Sequence, residues 1–99
     1  MARLIIWSLR ATEDIESIAA YITQDSEAYA VSVVRNILQK TRILVEFPHI
    51  GRVVPEFDDE SIREIFAYSY RVIYKVNQED VVVSAVIHGK RLLDVSLKT

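Results

Sequence analysis

The chain has 99 residues, 51% of them hydrophobic and 26% charged, the make-up of one folded domain rather than of a disordered chain or of two domains. Twelve Lys and Arg against 14 Asp and Glu leave a net charge of −2. Coating of DNA or RNA by bulk charge is therefore not expected, because phosphate neutralisation supplies most of such affinity, and only a local basic patch is left open. No cysteine occurs, so disulfides and thiolate metal sites are excluded, in keeping with a reducing compartment.

Residues 3–7 are apolar and β-prone and predict an opening strand. Ser8 is placed to cap a helix, in which Ala11, Ile15, Ile18, Ala19 and Ile22 recur at spacings of three and four and form one apolar stripe. Glu13, Asp14 and Glu16 sit towards its start, where they favour the helix dipole. Ser26 caps a second helix that carries Ala30, Val34, Ile37, Leu38, Thr41 and Val45 in helical period, and Pro48 stops it. Three of the four Gly and Pro residues (Pro48, Gly51 and Pro55) cluster here and mark one loop.

Beyond the loop the period changes to two. Residues 62–67 and 70–76 alternate around the short connection Tyr68-Ser69, which predicts a hairpin. Residues 77–80 turn the chain again, and 81–87 are almost wholly apolar, as expected for a central strand covered on at least one face. Residues 92–99 carry only weak signals. The expected fold is α+β, a single domain over residues 1–99 in the order β-α-α-β-β-β, with a helical hairpin on a small, mainly antiparallel sheet. No apolar run is long enough to span a membrane, and the N-terminus lacks a signal peptide, so a cytoplasmic location without membrane contact is expected.

Strand parity suggests which groups are available. Tyr70, Val72, Tyr74 and Val76 share one face, expected to meet the helices, and Arg71, Ile73 and Lys75 share the other. Arg63, opposite the Ile62/Phe66 set, and His88, in parity with Ser84, are assigned to the same open face, with Arg91 just beyond. Glu64 does not fit that face and is expected near a sheet end, paired with an arginine. Trp7 and the five tyrosines are expected to pack in the core or at edges. Ile65, Ile73 and Val82 would leave the open face partly apolar, and the isolated chain poorly soluble.

At this point five segments, in order, resemble one family. Trp7, Ser8, Ala11, Asp14, Ile15, Ile18, Tyr21 and Ile22 resemble the first strand and helix of RelE/ParE toxins. Residues 47–56 (FPHIGRVVPE) resemble the loop after the second helix, and residues 62–65 (IREI), 70–76 (YRVIYKV) and 86–91 (VIHGKR) the three later strands. The resemblance implies the toxin of a bacterial type II toxin–antitoxin pair, bound and silenced by a small antitoxin in a hetero-oligomer. Operator DNA would be reached only through the antitoxin. RelE-like members cut mRNA on the ribosome; ParE-like members act on DNA gyrase and are not nucleases. Residues 51–56 and 70–74 look closer to the ParE branch.

The residues themselves leave the alternatives open. Metal-free RNA cleavage needs a base, an acid and cations around phosphate, and the set that would serve is Arg52, Arg63, Arg71, His88 and Arg91. His88 is the one histidine assigned to the open face, imidazole being a side chain suited to acid–base work, while His49 lies in the loop beside Pro48. Against cleavage stand the acidic balance and a C-terminus, LLDVSLKT, without an aromatic or histidine acid/base. A gyrase inhibitor needs only a protein surface, so Arg63, Arg71, Lys75 and Arg91 are the expected contacts to antitoxin or target. An mRNA endonuclease is the alternative, and a relative that only binds its antitoxin is the third reading. No cofactor is implied, and the two distant histidines form no metal-ligand spacing.

Overall fold

The computed structural model describes residues 3–89. Strand β1 (Leu4–Trp7) leads to helix α1 (Leu9–Thr23), helix α2 (Glu27–Arg42) and a 3-10 turn (Ile43–Val45), then to strands β2 (Arg52–Val53), β3 (Ile62–Ala67), β4 (Tyr70–Val76) and β5 (Asp80–His88). The α+β architecture is the expected one, with β2 added inside the Gly/Pro loop and α2 giving way to the 3-10 turn earlier than its periodicity suggested. The sheet order is β1-β5-β4-β3-β2. β1 runs parallel to β5, and the other neighbours are antiparallel.

Both helices start where a serine can satisfy an end N–H group. The Ser8 side chain accepts from Ala11 N at 3.0 Å, and that of Ser26 accepts from Tyr29 N at 3.1 Å. The inward face of the hairpin, Ala11, Ile22, Ala30, Val33 and Ile37, packs on Ala67, Val72, Val83 and Val86. A second group, Leu44, Tyr74 and Val81, closes the core beneath the 3-10 turn.

The far face of the sheet is also covered. Val54 and Phe57, from the segment between β2 and β3, cover Ile62, Ile73, Ala85 and Ile87. This corrects the expectation of an open sheet face: Ile73 is 1% exposed, beneath that segment. Ile65 is half-buried against the helix-side core.

β5 contains one residue more than its partner requires. Ile73 pairs with Ala85 and Tyr74 with Val83, so Ser84 is bulged out. A bulge reverses the alternation beyond it, and α1 holds this one. Ser8 N and Ser8 Oγ donate to the carbonyls of Val83 and Ser84 at 3.0 and 3.1 Å, and Asp14 Oδ2 accepts from Val86 N at 2.9 Å. Asp14 therefore lies beyond the first turn of α1 and ties helix to sheet, instead of complementing the helix end.

Candidate functional site

The far face carries a buried ion network. β2 and β3 pair Arg52 with Glu64, and β3 and β4 pair Glu64 with Ile73 and Phe66 with Arg71, so these side chains share one face. Arg71 Nη1 and Nη2 donate to the two carboxylate oxygens of Glu56 at 2.9 Å each, and its Nε donates to Glu64 Oε1 at 2.6 Å. Arg52 Nε donates to Glu64 Oε2 at 2.5 Å. The Glu64 side chain is 0% exposed, that of Arg71 5% and that of Arg52 59%. Hydrogen bonds to Glu56 raise the Arg71 pKa above the ordinary arginine value, burial opposes this, and Glu64 adds to the rise. Arg71 thus clamps the segment between β2 and β3 onto the sheet. Arg52 lies over the Phe66 ring, 5.3 Å from its centroid.

The loop that presents Arg52 is held by its backbone. Gly51 N donates to the buried Tyr74 hydroxyl at 3.0 Å. Arg63 Nη1 donates to the carbonyls of Gly51 at 2.9 Å and His49 at 3.3 Å, while Nε donates to that of Glu60 at 2.9 Å. A Cβ on Gly51 would lie 2.5 Å from the Glu64 carbonyl oxygen, so only glycine lets β2 approach β3 this closely.

Two residues assigned to the open face lie on the other one. Arg63 pairs with Tyr74 and shares the parity of Ile65 and Ala67, which meet the helices. The assignment failed because both faces of β3 are apolar, so alternation alone does not say which one the helices take. His88 pairs with Tyr70 on the helix side, the rings 6.1 Å apart and edge-on, because the Ser84 bulge reverses parity before it. Arg71 is on the expected face but buried, and Lys75 is exposed on that face. Arg91 lies outside the described residues. Glu64 is paired with arginines as expected, but in mid-strand. Register would have located it: a two-residue connection at Tyr68-Ser69 sets Phe66 opposite Arg71 and Glu64 two places further on.

The helices carry a second candidate surface, which the sequence reading missed. Val34 and Leu38 do not join the core; with Ala19, Thr23, Ala30 and Val31 they line an outward groove between α1 and α2, and Glu27, Arg35, Gln39 and Arg42 complete its wall. Leu38 is 40% exposed and Val31 49%. The signal was present: α2 has more apolar positions than one stripe can bury. Nor do all tyrosines pack inward, since Tyr21, Tyr29 and Tyr68 are 70%, 52% and 51% exposed.

Among the described residues no helix is long and apolar enough to cross a membrane. No curated protein matches the chain. Among solved structures, a chain of the chromosomal ParDE TA system from P. aeruginosa is similar, with a TM-score of 0.73 and 14% identity, covering 88% of this chain and 96% of that one. At that identity the likeness shows a common fold. The family model described as "ParE toxin of type II toxin-antitoxin system, parDE" matches residues 5–93. With nearly the whole chain inside that match, and the strand, helical hairpin and sheet arranged as above, the chain belongs to the ParE toxin family of type II toxin–antitoxin systems.

Proposed function

We propose that the chain inhibits DNA gyrase through a protein surface, without catalysis, and is silenced by a cognate antitoxin. The observation that carries the non-catalytic reading is how the fold uses its cations. Arg71 is committed to two carboxylates, Arg63 to three loop carbonyls, and His88 lies on the opposite face of the sheet from Arg52. A nuclease would need such groups converged on one phosphate.

For the antitoxin, the α1/α2 groove suits an amphipathic helix, and Arg35 and Arg42 beside it suit an acidic one. Strand β1 closes one end of the sheet with Leu4 71% and Ile6 44% exposed, which suits addition of a strand. Operator DNA would then be contacted by the antitoxin of the hetero-oligomer.

The test is plasmid supercoiling by purified gyrase with added toxin, beside cleavage of mRNA on programmed ribosomes. Lost supercoiling with intact mRNA is the expected result. Cut mRNA with unaffected gyrase would refute the proposal and return Arg52, Arg63, Arg71, His88 and Arg91 to the list of catalytic groups.

A further inference from the structure

One arginine on the far face is ordered by the fold without being used up by it. Arg52 Nε is fixed on Glu64 and its guanidinium lies over Phe66. Neither Nη has an acceptor among the described residues, and Arg52 and Phe66 are exposed, the latter by 45%. Arg71 already has a bidentate partner in Glu56. A second, fully buried carboxylate is therefore more than Arg71 needs for neutralisation, and burying one is costly. Its second oxygen goes to Arg52, so Glu64 acts as a positioning residue for that guanidinium.

The exposed surface continues past Phe66. Phe66, Tyr68, Ser69, His88 and Gly89 border one shallow hollow at the sheet end. Tyr68 holds a φ of 54°, a conformation bulky side chains rarely adopt. Its ring stands edge-on to that of Tyr29, centroids 6.2 Å apart. Backbone strain is thus accepted at a residue whose ring is half in water.

We infer that the strip Arg52–Phe66–Tyr68 is the surface by which this toxin grips its target, and that its occupant is a protein segment presenting a carboxylate beside a bulky apolar side chain. The inference rests on the gyrase reading above. Arginine and tyrosine are the residue types on which binding energy concentrates. The free Nη edge matches a carboxylate, and the hollow takes the apolar group. Because Arg52 is already ordered, binding does not have to freeze it. A nucleic acid fits less well, since the strip itself offers a single arginine and the chain carries a net charge of −2, which together neutralise little phosphate. The strip shares no residue with the α1/α2 groove, so target and antitoxin would be contacted by different side chains.

The experiment measures binding of full-length toxin to purified gyrase holoenzyme, with supercoiling inhibition alongside, for Arg52→Ala, Arg52→Lys and Tyr68→Gly. Arg52→Ala should weaken binding by about tenfold or more. Lysine should restore little, because a single ammonium cannot both satisfy Glu64 and present a fork. Tyr68→Gly relieves the backbone while removing the ring, so a several-fold loss of binding in a chain that melts no lower than wild type reports the contact itself. Wild-type binding by both Arg52→Ala and Tyr68→Gly would overturn the inference. If wild-type toxin ignores gyrase, the gyrase reading fails separately, and growth arrest on expression decides the strip. Arrest lost in Arg52→Ala and in Tyr68→Gly supports it for another protein target. Undiminished arrest, or a wild type that arrests nothing, overturns it. Tight, salt-sensitive binding of oligothymidine that Arg52→Ala abolishes would overturn it in favour of nucleic acid.

Discussion

Arg71 and Glu64 are both charged and both nearly out of reach of water, and such a pair survives only because every partner is present. Glu64 holds two arginines and Arg71 two carboxylates, an arrangement with two charges of each sign. Removing Arg71 leaves a fully buried carboxylate supported only from its solvent side by Arg52. Arg71→Ala should therefore cost about 3–5 kcal/mol in urea unfolding at neutral pH, the range for breaking a buried pair; a loss within the scatter of surface substitutions would show the network to be dispensable. Tyr74 gives a second, pH-dependent test. Burial raises its pKa above the ordinary value of 10.0, while the Gly51 amide and Arg63 pull the other way. The folded state then holds a proton that the unfolded state releases, so the contribution is intact below pH 10.0 and lost as pH rises through the higher folded value. Tyr74→Phe should leave the buried Gly51 N–H without an acceptor, costing about 1–3 kcal/mol at neutral pH. It should also flatten the alkaline loss of stability, which Tyr70, raised chiefly by its own burial, keeps from vanishing. Denaturant titrations on either side of pH 10.0 check both statements.

At the scale of elements, the join between α1 and β5 sets which side chains reach which face. Asp14→Ala removes the acceptor for Val86 N beside the bulge and should cost about 1–2 kcal/mol. Exchange of the Val86 amide should accelerate by more than that of its neighbours; uniform exchange would mean the bulge needs no support from the helix. Gly51→Ala forces β2 away from β3, since the new carbon would meet a backbone carbonyl and the Tyr74 hydroxyl at 2.5 and 2.6 Å. These two positions also explain how much could be read in advance. The helices, the hairpin and the order of elements were legible, because serine caps, apolar periods and the Tyr68-Ser69 connection are local signals. The bulge was not, because Ser84 differs from a strand residue only by its missing partner across β4. The second apolar layer was not either. Val54 and Phe57 sit in a stretch without period, and only folding brings them over Ile73 and Ile87. Glu56 reaches Arg71 by the same route. The candidate site was therefore half visible: Arg52 and Arg71 stood out as cations and Glu64 as an arginine's partner, whereas the mid-strand place of Glu64 and the role of Glu56, which decide which cation stays available, did not.

For the whole molecule, a net charge of −2 disfavours bulk contact with nucleic acid but does not locate a protein partner, because charge and apolar surface are distributed unevenly. The groove between α1 and α2 pairs Val31, Val34 and Leu38 with Arg35 and Arg42, whereas the far face offers Arg52 beside Phe66. If the groove receives the antitoxin, a charge placed in its middle should separate neutralisation from toxicity. Leu38 is 40% exposed and outside the buried core, so Leu38→Asp should fold normally. An aspartate facing an apolar partner helix loses the buried leucine contact and desolvates a charge, so antitoxin affinity should fall by about a hundredfold or more. Titration calorimetry with purified antitoxin measures this, and co-expression provides the cellular reading, in which Leu38→Asp should stay toxic when the antitoxin is present. Retained affinity with normal neutralisation would remove the groove from the interface and leave the β1 edge, with Leu4 and Ile6, as the place where an added strand binds. Loss of toxicity together with loss of affinity would instead mean that antitoxin and target compete for the same helices, and that neutralisation works by direct occlusion.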